Sequence, residues 1–120
     1  MLQPVKINEF HYREGTYAAG GKKYMTADII EAAEDIEEFD LPLCGIDIGY
    51  DPWGMTSMAD FIYHCKRVRA ADFDHPIILD IEGSICDGMH RIAKAILAGE
   101  TTIKAKRLRV MPACVDTDSK

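Results

Sequence analysis

The sequence predicts a small α+β domain, with about three helices and a mixed β-sheet in which a hairpin leads directly into a helix. Three stretches place apolar residues at helical spacing. A near-continuous apolar run at residues 76–79 turns at residues 80–83 and returns through residues 84–86, which is typical of a hairpin. The return leads straight into the third helical stretch. The 120 residues can bury a core, and we expect one domain, residues 1–120.

The first 25 residues are predicted to form a strand followed by a mobile loop. Residues 3–10 alternate weakly, with Val5 and Ile7 on the inner side, which favours an edge strand. Residues 13–23 combine glycines with lysines but lack the Walker spacing of a phosphate loop. We therefore interpret them as a mobile loop.

The first helix is predicted to run from an N-cap at Thr26 to about Glu38. Its apolar stripe consists of Ile29, Ala32, Ala33 and Ile36. Its other face is acidic without a basic residue, which indicates a solvated surface. The alternative is a docking surface, along the acidic helix 26–38, for a basic protein partner or a second copy in a homodimer. Leu41 and Pro42 are expected to end the helix.

The second helix is predicted to be capped by Thr56 or Ser57 and to reach about Val68. Its expected buried stripe is Met58, Phe61, Ile62, Cys65 and Val68. His64 and Arg67 share another face of this helix with Asp60. Trp53, in the loop before the helix, is expected in the core; the alternative is the wall of a ligand pocket.

The third helix has the clearest apolar stripe of the chain and a Gly99 stop signal. Met89, Ile92, Ala93, Ile96 and Leu97 form that stripe. The last strand, residues 101–110, is predicted to place Ile103 and Ala105, and then Leu108 and Val110, on its inner side. Its alternation therefore changes near Lys106, which indicates a bulge or a change of role. Residues 111–120 are predicted to be a tail.

The junction between the hairpin and the third helix, Asp87 to Arg91, is the candidate binding site. Asp87 is a natural N-cap, and Gly88 would let a ligand approach the backbone. His90 and Arg91 fall in the first turn, beside the positive end of the helix dipole. Such a corner suits a phosphate or another anion. The alternative is a capped helix start with solvated side chains.

This stretch resembles the ParB/sulfiredoxin superfamily. The matching parts are residues 75–80, 82–83, 87–95 and 103–105, which resemble the hairpin, the Gly-x-His-Arg helix start (here within a DGxHR motif) and the closing strand. The resemblance implies that the corner binds nucleotide phosphates. Sulfiredoxins carry their catalytic cysteine where this chain has Met89, and Cys86 lies on the other side of the turn. Because a thioether forms no thiolate, we do not expect sulfiredoxin chemistry.

The resemblance and the helical spacing together give the candidate site residues. The phosphate- or nucleotide-binding candidates are Asp87, Gly88, Met89, His90, Arg91, Lys94, His64 and Arg67. Lys66 and Arg69 extend this basic stretch. The catalytic candidates are His90 and Asp87, and no resident metal site is expected in the sequence.

The resemblance implies a nucleotide-binding domain, in the form of an ATP-dependent phosphotransferase or a nucleotide hydrolase. The expected ligand is a nucleoside triphosphate, ATP or CTP, with Mg²⁺ held in part by Asp87 or Asp51. The alternative is a non-catalytic nucleotide switch or protein-interaction module. A ParB-like nuclease is a third reading, which the composition disfavours.

The composition gives further limits on the function. The net charge of −6 argues against nucleic-acid binding, which needs a basic face. No apolar run approaches the ~20 residues of a membrane span, and no signal pattern is present, so the expected location is cytoplasmic. The four cysteines show neither zinc-site nor redox-motif spacing, and we expect Cys65 and Cys86 to be buried free thiols.

Overall fold

The structure is a computed structural model and describes residues 1–115. Its helices are α1 (Thr26–Ala32), α2 (Met58–Ala70) and α3 (Met89–Leu97), with short 3-10 turns at Tyr12–Glu14 and Leu43–Gly45. Its strands are β1 (Thr16–Ala19), β2 (Lys22–Met25), β3 (Phe39–Pro42), β4 (Ile77–Leu79), β5 (Ile85–Asp87) and β6 (Thr102–Arg107). The α+β class, the three helices and the hairpin leading into a helix are as the sequence predicted.

The main sheet has four strands in the order β3-β6-β4-β5. Strand β6 pairs antiparallel with β3 and parallel with β4, and β4 pairs antiparallel with β5. The sheet is therefore mixed. All three residues of β4 are at most 4% exposed, because this strand is covered on both faces. The continuous apolar run in the sequence had predicted such a strand.

The two faces of β4 belong to two different apolar cores. Ile77 and Leu79 pack with Ile92 and Ala95 of α3. Ile78, which points the other way because side chains alternate along a strand, packs in the second core with Ile29 of α1. The sheet thus lies between α3 on one face and α1 with the β1–β2 hairpin on the other.

The break in the alternating apolar pattern of β6 has a structural cause. Ile103 and Ala105 point into the core under α3, whereas Leu108, just after the strand, packs in the second core. The predicted change of role near Lys106 is confirmed. Val110 is exposed, so its expected place on the inner side is wrong.

The first 25 residues differ from the prediction. Residues 1–11 form no strand, and the expected mobile loop contains the two-stranded β1–β2 hairpin. Tyr24 of β2 is buried in the second core, and this tertiary contact has no local sequence signal. The backbone N–H of Val115 donates to the carbonyl of Lys23 at 2.8 Å, so the described part of the predicted tail packs on β2. Residues 116–120 of that tail lie outside the described residues.

Helix α1 is shorter than predicted. It ends at Ala32 instead of near Glu38, and its N-cap is Met25, with Thr26 buried in the first turn. The residues beyond Ala33 are acidic and would place negative charge at the negative end of the helix dipole. The chain that follows this acidic segment, residues 39–42, forms its backbone hydrogen bonds with β6 instead of continuing a helix.

The N-terminus of α2 is as predicted, but its buried face is not. Ser57 caps the helix, and its hydroxyl accepts from the N–H of Asp60 at 3.1 Å. The expected apolar stripe is largely exposed, with Met58 at 77% and Phe61 at 55%. Helix α2 instead contacts α3 through the face that carries His64. No helix in residues 1–115 combines the length and the apolar character that crossing a membrane requires.

Candidate functional site

Gly88 forms the corner between β5 and α3. It is the N-cap of α3 with φ +117° and ψ 15°, a conformation that favours glycine. A Cβ atom at this position would lie 2.8 Å from the Cβ and 3.2 Å from the Cα of Ile77. The close approach predicted for a ligand is therefore made by β4, and the glycine is required for packing.

Asp87 does not cap α3, contrary to the prediction. It is the last residue of β5, one position before the cap, and its Oδ2 accepts from Nη2 of Arg91 at 2.7 Å. No side chain among residues 1–115 caps α3. The first backbone bond of the helix runs from the N–H of Ile92 to the carbonyl of Gly88. The amides of residues 89–91 precede that bond, so they are the donors at the helix start.

Arg91 and Lys94 are both engaged by backbone carbonyls. Nη1 of Arg91 donates to the carbonyls of His75 at 2.7 Å and Pro76 at 2.6 Å. Nζ of Lys94 donates to the carbonyl of Ala71 at 2.7 Å, and so contacts the last turn of α2. These cations tie α3 to its neighbours, and their phosphate contacts stay a prediction.

His64 and His90 form a hydrogen-bonded pair across α2 and α3. Nδ1 of His64 lies 2.8 Å from Nε2 of His90, and the ring planes differ by 9°. Trp53 stacks on both rings, with centroid distances of 4.5 Å and 4.6 Å. The expectation that Trp53 belongs to the core is wrong, since it covers this pair and borders a cleft.

The surroundings keep the histidine pair neutral. Burial lowers the pKa of His90 to about 3, and the nearby Arg67 charge acts in the same direction. Burial and Arg67 also lower the pKa of His64, against the opposing effect of Asp60 and Asp51. At neutral pH the pair therefore shares a hydrogen bond without carrying a charge.

A cleft of about 310 Å³, which we name the α2–α3 cleft, lies beside the start of α3. Its lining is Asn8, Glu9, Phe10, Tyr63, Lys66, Arg67, Ala70, Ala71, Asp87, Gly88, His90 and Arg91. Five of the eight predicted binding residues are in this lining. Met89 instead packs against the core under α3, and Lys94 supports α2.

His64, the remaining predicted binding residue, borders a second cleft of about 590 Å³. We name this the Trp53 cleft. Its lining is Lys6, Ile7, Asn8, Glu9, Trp53, Ala59, Asp60, Tyr63 and His64. The histidine pair thus connects the two clefts, with His90 in one lining and His64 in the other.

The sequence did not identify two parts of the cleft lining. These are residues 8–10, which precede β1, and Tyr63 of α2. Tyr63 lies four residues before Arg67, so helical spacing could have placed both on one face. Residues 8–10 carried no such signal, because their position in the cleft depends on contacts with residues more than 50 positions away, such as the one between Glu9 and Lys66.

Cys86 is unsuited to thiolate chemistry, and the expected magnesium ligands Asp51 and Asp87 already accept hydrogen bonds within the protein. Burial and the carboxylates of Asp80 and Asp87 raise the pKa of the Cys86 thiol to about 12, so this thiol stays protonated. Cys65, which was expected to be buried, is exposed. Asp51 accepts from the N–H groups of Trp53 and Met55 through its two oxygens. Asp87 is held by Arg91.

The contact of these carboxylates with Mg²⁺ stays a prediction. Within residues 1–115 no three side chains of His, Cys, Asp or Glu converge in a geometry that could hold a metal ion. Because a Mg²⁺ ion that accompanies a nucleoside triphosphate needs only one or two protein carboxylates, Asp87 and Asp51 stay its candidate ligands.

Comparison with known proteins leaves the resemblance to the ParB/sulfiredoxin superfamily as a prediction. The corner itself combines an uncapped helix start, a glycine required by packing and a neutral histidine pair. No protein-family model matches this chain, and neither a curated protein nor a solved structure matches it.

Proposed function

We propose that the α2–α3 cleft binds the phosphate groups of a nucleoside triphosphate, ATP or CTP. The observation that supports this most is that the uncapped start of α3 borders a cleft of about 310 Å³ that also contains Arg67. Free backbone amides at a helix N-terminus and the forked donors of an arginine both suit phosphate oxygens.

The residues around the cleft would divide the work. The amides of residues 89–91 and the guanidinium of Arg67 would contact phosphate directly. Arg91 and Lys94 would hold the corner in place through the carbonyls that they already engage. His90 lines the cleft as a neutral imidazole hydrogen-bonded to His64, so it is the candidate hydrogen-bonding group for a reacting phosphate in an ATP-dependent phosphotransferase or nucleotide hydrolase.

The alternative proposal is a non-catalytic nucleotide switch or protein-interaction module. The exposed apolar side chains of α2, Met58 and Phe61 among them, favour it because they offer a contact surface. The acidic segment 26–38 would serve a basic partner or a second copy. A ParB-like nuclease is the third candidate, and the net charge of −6 argues against it.

Calorimetric titration with ATP and CTP, each with Mg²⁺, tests the binding site. Arg67→Gln should weaken binding by about 1.5–3 kcal/mol, the contribution of a charge-assisted hydrogen bond. Arg69→Gln is the matched control, because it removes the same charge from the same helix outside the cleft lining. Unchanged affinity in Arg67→Gln would rule out this cleft as the phosphate site.

A second assay separates the enzyme from the switch. Wild-type protein incubated with ATP and Mg²⁺ should release ADP or inorganic phosphate faster than His90→Gln. Equal release by both proteins, with binding intact, would favour the switch. Nicking of plasmid DNA with Mg²⁺ or Mn²⁺ would support the nuclease instead.

A further inference from the structure

Residues 6–10, which we name the strap, run along both clefts without forming a helix or strand. Phe10 lines the α2–α3 cleft, and Lys6 and Ile7 line the Trp53 cleft. Asn8 and Glu9 line both of them. Through Asn8 and Glu9, the strap is therefore a wall that the two clefts share, and Tyr63 also lies in both linings.

The strap contacts two neighbouring cations of α2. Oε2 of Glu9 lies 2.9 Å from Nζ of Lys66. The guanidinium carbon of Arg67 lies 3.5 Å from the centroid of the Phe10 ring, which is a close cation–π contact. The Glu9 carboxylate and the Phe10 ring thus contact Lys66 and Arg67, two adjacent basic residues at the edge of the cleft.

The basic side chains in the lining of the α2–α3 cleft, and Lys94 beside it, differ in how firmly they are held. Arg91 and Lys94 are bound to backbone carbonyls, and the Arg91–Asp87 ion pair is only 15% and 22% exposed. Lys66 and Glu9 are 40% and 85% exposed, and an ion pair so exposed stabilises little and is screened by salt. Lys66 is accordingly a cation that a ligand could recruit, and Arg67, which pairs with no carboxylate within residues 1–115, is the second.

We propose that the strap is an internal competitor for the α2–α3 cleft, in which Glu9 and Phe10 occupy Lys66 and Arg67 until a phosphate-bearing ligand displaces them. Glu9 supplies the negative charge that the ligand would supply, and the Phe10 ring lies on one face of the Arg67 guanidinium and so holds this side chain against the strap. This inference rests on the proposed function, because it takes the cleft as the phosphate site.

Calorimetric titration with pyrophosphate measures the competition. Glu9→Gln and Phe10→Leu, which keep side-chain bulk, should bind about three- to tenfold more tightly than wild type, since each removes one weak competing contact. Glu14→Gln is the matched control, since it makes the same charge change outside both cleft linings. Affinity in Glu9→Gln that is equal to or weaker than that of Glu14→Gln overturns the competition.

Acrylamide quenching of Trp53 reports the strap without any ligand, because Trp53 is the only tryptophan and shares a cleft lining with residues 6–9. Quenching should be stronger in Glu9→Gln and Phe10→Leu than in Glu14→Gln, and it should rise in wild type when salt or pyrophosphate is added. Equal quenching in all four proteins shows that these contacts do not hold the strap, and overturns the proposal.

The two measurements separate the proposals. If neither wild type nor Glu9→Gln binds pyrophosphate or ATP, the proposed function fails and competition for phosphate fails with it, whereas the quenching still decides whether Glu9 and Phe10 seat the strap. If wild type binds and the strap variants bind no better, only the strap proposal fails.

Discussion

Nδ1 of His64 and Nε2 of His90 lie 2.8 Å apart, so one imidazole donates and the other accepts. If both rings were fully protonated, two N–H groups would face each other across this distance. Arg67 and Arg91 add positive charge near His90, whereas Asp51 and Asp60 favour a proton on His64. The pair therefore resists protonation, and His90 resists it more than His64.

This relationship predicts a stability that falls as the pH drops. The unfolded chain binds a proton at His90 near the usual pKa of 6.5, whereas the folded chain does so only near pKa 3. Between these values the unfolded state holds more protons, so the free energy of unfolding rises with pH and is fully regained above about 6.5. The melting temperature of His90→Gln should depend less steeply on pH between about 7 and 4.

The control for this pH series is His75→Gln, which removes an exposed imidazole outside the pair. Its melting temperature should follow the wild-type curve. Because the carboxylates titrate in all three proteins, only the difference between the curves is informative. Parallel curves for wild type and His90→Gln would contradict the assignment of a protonation-resistant pair.

Gly88→Ala should destabilise the fold by about 2–4 kcal/mol. The new methyl group would meet Ile77 at 2.8 Å, and φ +117° is unfavourable for alanine, so overpacking and backbone strain add. Gly99→Ala is the matched control, since Gly99 also has a positive φ but has open space around it. It should cost only about 1 kcal/mol for the backbone. Urea unfolding of both variants measures the difference, and equal losses would refute the packing role of Gly88.

Local signals were sufficient where the structure depends on neighbours in sequence. The apolar run of β4, the Ser57 cap and the Gly99 stop were all readable, because a two-sided strand, a capping hydroxyl and a positive φ are local requirements. The junction itself was found for the same reason. The predicted N-cap of α3 was off by one residue, because the pairing of Asp87 with Ile78 keeps Asp87 in the strand and leaves Gly88 as the cap.

The remaining features depend on which surfaces meet. The periodicity of α2 showed an apolar stripe correctly, but periodicity cannot say which face packs, and the face with His64 does so. The contact between Phe10 and Arg67 joins distant parts of the chain, so no spacing rule reveals it. The histidine pair needed two helices to be placed side by side, although each histidine was already a candidate residue.

Arg91→Ala should destabilise the fold by about 2–4 kcal/mol, whatever it does to ligand binding. The substitution removes three hydrogen bonds, two to the carbonyls of His75 and Pro76 and one to Asp87, and leaves that half-buried carboxylate without its cation. Urea unfolding measures the loss. Arg69→Ala, on an exposed residue, is the control and should change the stability by less than about 0.5 kcal/mol.

A double-mutant cycle between Arg91→Ala and Asp87→Ala isolates the ion pair within that loss. The two residues touch at 2.7 Å and are largely shielded from solvent, so their substitutions should be non-additive, with a coupling of about 1–3 kcal/mol. Additive losses would mean that Arg91 acts through the carbonyls of residues 75 and 76 alone. Wild-type stability in Arg91→Ala would instead identify a guanidinium that the fold does not need, which is the behaviour of an arginine reserved for a ligand.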